Sequence, residues 1–221
     1  MHIPDGFLSP EAAVALLGVA AGFFVHALGR LKQKLMVKEK KAALVTAEGL
    51  EVAGRVGQRL TRYGREKIWK MVSVVALVFV MQMIDISIAG APVHVLGGVL
   101  AAILLGPLEG FVVIAVVLVI QAVALADGGL SALGANIINM GLIGSVGGYY
   151  LYKWIKERSK ITWLAVIVAT WLSVVATAMV YTMELAIFDT IRLNIVAAHV
   201  VFGLAEALVT LTIVRLAKHW K

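Results

Sequence analysis

The stretch ITWLAVIVATWLSVVATAMVYTM, Ile161 to Met183, runs without one charged side chain. An α-helix rises about 1.5 Å per residue, so a run of this length reaches across the roughly 30 Å hydrocarbon core of a bilayer. Lipid offers no water to hydrogen-bond the backbone, so such a run crosses as a helix. Six more apolar segments accompany it, at 11–29, 69–88, 94–106, 110–126, 131–151 and 195–216. The pattern predicts an all-α membrane protein with seven transmembrane helices, built as one integral membrane domain over 1–221. Segments 94–106 and 110–126 are short and are broken by Gly106-Pro107. They are expected to tilt, or to bury among neighbours rather than face lipid.

Composition agrees with that class. The chain is 61% hydrophobic and 15% charged, with a mean hydropathy of +0.95, far from a soluble domain. Glycine pairs at Gly97-Gly98, Gly128-Gly129 and Gly147-Gly148 suit helices that approach closely in lipid. There is no cysteine, which excludes disulfides, thiolate metal sites and thiol nucleophiles. P-loop, nucleophile-elbow and His-Glu-x-x-His patterns are missing as well. The chain reads as a non-enzyme that cannot hydrolyse ATP itself, so energy for any active step comes from a partner or an ion gradient.

The net charge of +7 is a matter of topology. Arg30 to Lys70 carries twelve Lys and Arg, Lys153 to Lys160 four, and the tail after Val214 three, which leaves Arg192 alone on the other side. By the positive-inside rule the N-terminus faces out and the C-terminus is cytoplasmic. Anionic lipid, and no nucleic acid, is then the neighbour of the basic loops. Residues 1–25 hold Asp5 and Glu11 but no Lys or Arg, unlike a cleaved signal peptide, so Met1 and His2 are expected to survive. The polar connection 30–68 reads as mostly helical and cytoplasmic, with Glu51 and Arg55 one turn apart. It is either a solvated helical hairpin, an extension of the second membrane helix, or a docking surface for a partner subunit.

Chemistry concentrates at the start of the chain. In Met1-His2 the α-amine, the His2 amide once deprotonated and the His2 imidazole can close a five- and a six-membered ring on one metal ion. Three nearly coplanar nitrogens suit Ni(II) or Cu(II), and Co(II) less strictly. His94, in Gly90-Ala91-Pro92-Val93-His94, lies in a loop on the same outer side. It is either a fourth nitrogen or an interfacial loop histidine. His26 reads as interfacial, His219 as solvated, and His199 as a neutral histidine bonded to a neighbouring helix. Asp85, Asp127, Glu206 and Glu109 are the acids at membrane depth. Asp127, with Ser131, Asn136 and Asn139, either orients metal-binding nitrogens or makes a tight turn and a helix–helix contact. Methionines such as Met81, Met83, Met140, Met179 and Met183 read as core filling.

The opening Met1-His2-Ile3-Pro4-Asp5-Gly6-Phe7-Leu8-Ser9-Pro10 resembles that of the CbiM/NikM family, the substrate-binding membrane components of energy-coupling factor (ECF) cobalt and nickel importers. Val93-His94-Val95-Leu96-Gly97-Gly98 through Leu105-Gly106-Pro107 matches as well. So do Gln121-Ala122, Ala126-Asp127-Gly128-Gly129, Gly134-Ala135-Asn136 and Asn139-Met140. The resemblance implies an N-terminal loop inserted into the bundle from outside, with Ni(II) or Co(II) as transported substrate held by Met1, His2 and His94. It places Asp5, Asp127 and Asn136 as supporting residues around those ligands. It also implies a transmembrane coupling subunit, two cytoplasmic ATPases, a small accessory membrane subunit that is separate or absent, and a place in a prokaryotic plasma membrane. No organic cofactor is expected. Two departures stand out: residues 30–68 are longer and more charged than usual, and Pro4-Asp5 replaces the Met-Glu of the cobalt branch, which tilts the expectation toward nickel. A secondary transporter or channel for a small organic solute, or a non-transporting membrane scaffold, are the competing classes.

Overall fold

The computed structural model describes residues 2–40, 44–45, 51–52, 56–188 and 193–218. Helix α1 (Pro10–Leu35) starts where Ser9 accepts from Ala12 N at 3.2 Å and Pro10 occupies the first turn, the usual chemistry of a helix start. Helix α2 (Arg62–Gln82) starts on Thr61, whose hydroxyl accepts from Gly64 N at 2.8 Å. Between them lies a correction to the helical reading of 30–68. Strand β1 (Met36–Lys40) pairs antiparallel with β4 (Val56–Leu60), and β2 (Leu44–Val45) pairs with β3 (Glu51–Val52). Val37, Val45, Val52 and Val56 favour extended backbone, and this outweighs the one-turn Glu51 to Arg55 spacing, whose Arg55 lies outside the described residues. Among the described residues of the stretch, only its ends, in α1 and α2, are helical.

A short hairpin follows, β5 (Ile86–Ile88) against β6 (Ala91–Val93). Its two-residue turn is Ala89-Gly90, with φ of 50° and 76°, the positive pair that a tight hairpin of native twist demands. Helix α3 (Gly98–Leu105) has 8 residues, most of them buried. Gly106, at φ 114°, breaks it from α4 (Pro107–Ala124), where the sequence places the break. Helix α5 (Leu133–Asn136) runs on into an 11-residue π-helix (Ile137–Gly147) and α6 (Gly148–Ser159). Helices α7 (Thr162–Phe188) and α8 (Leu193–Lys218) complete the bundle. With the α5–π–α6 rod counted once, the described residues hold seven helical elements, as the hydropathy pattern predicts.

Four of these, Pro10–Leu35, Pro107–Ala124, Thr162–Ile187 and Leu193–Ala217, are long and apolar enough to cross a membrane. Val14, Val19, Val25, Val123, Met183 and Leu208 are exposed, an apolar outer surface that lipid covers favourably. The main core packs α1–α4 against the π-helix around Phe111, Ile114 and Met140. Close approach there depends on small residues: a Cβ on Gly98 would stand 2.9 Å from the Gly144 carbonyl carbon. The wide π turn leaves carbonyls for side chains to bind. Thr177 Oγ1 donates to Asn139 O at 3.2 Å and Ser173 Oγ to Gly144 O at 2.9 Å.

Candidate metal centre

A second apolar cluster holds the N-terminal segment. Ile3 is 0% exposed and packs with Leu8, Val93, Ala135, Leu185 and Phe202. Burying this peptide requires partners for its polar groups. Asn136 supplies them: its Oδ1 accepts from Ile3 N at 2.9 Å and its Nδ2 donates to Ile3 O at 3.2 Å. Gly129 N also donates to Ile3 O, at 2.9 Å. Asp5 Oδ1 accepts from Ser131 N at 2.8 Å and from its hydroxyl at 2.6 Å, which holds this exposed carboxyl below its usual range. Gly129 must stay small, because a Cβ would run into the Pro4–Asp5 backbone. The 128–131 turn therefore clamps residues 3–5.

Directly before the clamp, His2 Nδ1 meets Asp127 Oδ1 at 3.0 Å. With Nδ1–H donating to this carboxylate, His2 Nε2 keeps its lone pair, and it is buried without a hydrogen-bond partner among the described residues. The His2 ring lies edge-on to His94, with centroids 4.8 Å apart and planes at 62°. Burial lowers the pKa of His2, outweighing the Asp127 bond, and pushes that of His94 well below the usual value. Asp127 is lowered chiefly by its bond from His2. Both rings are thus neutral near pH 7, the form a metal requires.

The hairpin delivers His94. Its register sets Ile86 opposite Val93, so His94 leaves the strand at a fixed point and turns inward to 3% exposure. Its Nδ1 donates to Val95 O at 3.1 Å, a backbone bond of the kind that orients metal-binding imidazoles. Sequence reading misses the groups behind this turn. Gln82 Nε2 donates to Leu96 O at 2.7 Å, and Glu206 accepts from Leu96 N and Gly97 N. A buried acid in a helix was a visible signal, but its partners lie far away in the chain. Tyr181 OH also donates to His2 O at 3.4 Å, which no motif announces.

Of the three supporting candidates, Asp127 touches an imidazole, Asn136 binds the Ile3 backbone beside it, and Asp5 binds Ser131. His199 bonds its own helix, Nδ1 to Ile195 O at 2.7 Å, and not a neighbouring one as expected. Met140 is buried, but Met83, Met179 and Met183 are exposed and do not fill the core. Met1, Arg192 and His219 lie outside the described residues. Among the described residues no group of three or more His, Asp or Glu side chains is set to hold a metal ion.

Comparison with known proteins follows the same line. A family model described as CbiM, cobalt uptake substrate-specific transmembrane region, matches residues 2–221. A protein of Archaeoglobus fulgidus, provisionally named as the fused nickel transport protein NikMN, is 31% identical over 97% of this chain and 64% of its own length. The cobalt transport protein CbiM of Acetoanaerobium sticklandii is 31% identical over 85% of this chain and 66% of its own length. The chain thus spans just under two thirds of these relatives. The crystal structure of a truncated transition metal transporter shares the fold, with a TM-score of 0.81, 23% identity and 99% of both chains covered.

Proposed function

Because this chain belongs to the CbiM family of cobalt uptake substrate-specific transmembrane regions, we propose that it takes up Ni(II) or Co(II) as the substrate-binding component of an ECF importer. The observation that carries this reading is the meeting of His2 and His94, with ring centroids 4.8 Å apart, at the end of a buried N-terminal segment. In the proposed loaded state, the α-amine of Met1, the ionised amide of His2 and the His2 imidazole occupy three corners of a square. His94 is the fourth. A six-membered ring through the amide uses His2 Nδ1, the nitrogen that here faces Asp127. The imidazole must therefore exchange that carboxylate for the ion, and Asp127 holds the ring ready until it does.

The ends of the molecule support the orientation. Lys34 lies 3.4 Å from Glu109 and Lys67 donates to Leu105 O, which gathers the ends of α1, α2 and α3 into one basic face. The His2–Asp127 and Asn136–Ile3 contacts lie at the other end of α1 and α4. We place the basic face in the cytoplasm of a prokaryotic plasma membrane, where a coupling subunit and two ATPases would drive release. The amidate offsets one positive charge of the ion, easing its entry to a low-dielectric interior.

Two results test this proposal. His94→Ala should still bind nickel, but about ten- to a hundredfold more weakly and with a changed ligand-field spectrum, since one of four nitrogens is gone. An unchanged spectrum would remove His94 from the centre. Binding should also release at least about one proton near pH 7, from the His2 amide. The imidazoles add none there, because burial keeps them neutral. Affinity therefore rises with pH, and falls more steeply once acid protonates the rings. Calorimetry in buffers of different ionisation enthalpy counts these protons, and a count of zero would exclude the amidate.

A further inference from the structure

Helix α8, whose Phe202 packs in the cluster around Ile3, also sends one carboxyl group to the turn after His94. Glu206 is 2% exposed, and both of its oxygens are engaged. Oε2 accepts from Leu96 N and Oε1 from Gly97 N, each at 2.9 Å. Two adjacent N–H groups aimed at one carboxyl make a fork, which fixes direction as well as position. The peptides it grips lie two and three residues beyond His94. From α2, Gln82 Nε2 holds the same turn by Leu96 O at 2.7 Å. An ionisable group inside an apolar helix is costly, and an apolar side chain in its place would leave both buried backbone N–H groups unpaired. The cost is offset only if the fork matters.

We infer that Glu206 is the positioning residue for His94, tying the imidazole's place in the centre to helix α8. The inference rests on the reading of Met1, His2 and His94 as the metal-binding set. Without the fork, the 94–97 turn keeps Gln82 but loses its anchor on α8, and His94 samples positions off the square. The tie also works in reverse. A shift of α8 carries the turn with it and withdraws one nitrogen of four, so a partner acting on this helix loosens the ion without touching Met1 or His2.

The test uses the full chain with an unblocked N-terminus and Ni(II) as the probe. Glu206→Gln keeps the shape but places an NH2 group against one of the two backbone N–H donors. It should weaken nickel binding about tenfold, the lower end for losing an outer partner of a ligand, and shift the ligand-field band toward that of His94→Ala. Because Glu206 acts through His94, the double variant should bind no more weakly than His94→Ala alone. Wild-type affinity and spectrum in Glu206→Gln, or losses that add in the double variant, would overturn the inference while leaving the centre standing. Wild-type binding in His94→Ala would overturn both. Should Glu206→Gln fail to fold, Gln82→Met removes the opposite anchor of the same turn, and its loss must likewise vanish in a His94→Ala background.

Discussion

His2→Ala is expected to reduce nickel affinity by at least about a hundredfold, the most that loss of an outer partner alone usually costs. The substitution removes the imidazole and the six-membered ring together, leaving amine and amide without the donor that favours amide ionisation. Acetylating the amine, or extending the chain before Met1, should do the same by a different route, since it removes the five-membered ring. Neither change touches the Ile3–Asn136 or Asp5–Ser131 contacts, so the fold should persist. Equilibrium dialysis against nickel, with thermal unfolding followed on the same samples, reads both quantities. Stoichiometric binding to a chain with a blocked amine would end the chelate proposal.

Ile3→Asp should have a comparable effect without altering any proposed ligand. Ile3 is fully buried, and its side chain contributes about 1.5–3 kcal/mol by leaving water. A carboxylate there lacks a cation and costs several kcal/mol more. The N-terminal segment would leave its cleft, and His2 would part from His94. Nickel affinity should fall more than about a hundredfold, because each 1.4 kcal/mol lost is about tenfold. Ile3→Val, which keeps the apolar contact, should bind almost normally. If Ile3→Asp binds as well as the parent chain, the segment's burial has no part in holding the ion.

The contrast between these two experiments marks how far the sequence can be read. Helix count and the apolar character of the bundle follow from hydropathy, and the Gly106-Pro107 break is where the sequence puts it. The chelate proposed for Met1-His2 is local, so it can be argued from the chain alone. What supports it cannot. Asn136 acts on Ile3, Ser131 on Asp5 and Glu206 on Leu96, contacts that span more than a hundred residues each. Residue type shows that a buried acid or amide needs a partner, but not which backbone group will provide it. The π-helix is hidden for a related reason, since its carbonyls are bound by Thr177 and Ser173 from α7. Met36–Lys40 and Val56–Leu60 pair as strands where charge spacing suggests a helix, because valines at intervals prefer extended backbone.

The grip of Asn136 on Ile3 also limits denticity. A flexible peptide with a free amine can wrap a nickel ion by ionising one amide after another, adding chelate rings until four nitrogens come from a single strand. Here the next amide in line, Ile3 N–H, already donates to Asn136 at 2.9 Å inside a packed cluster. Ionising it would break that bond and set an anion against the Asn136 oxygen. In the proposed centre, chelation along the chain would therefore stop at the second residue. The ion would be left one donor short of a square and would have to take that donor from another part of the fold. A ligand that the chain cannot supply from its own end is one the bundle can take away.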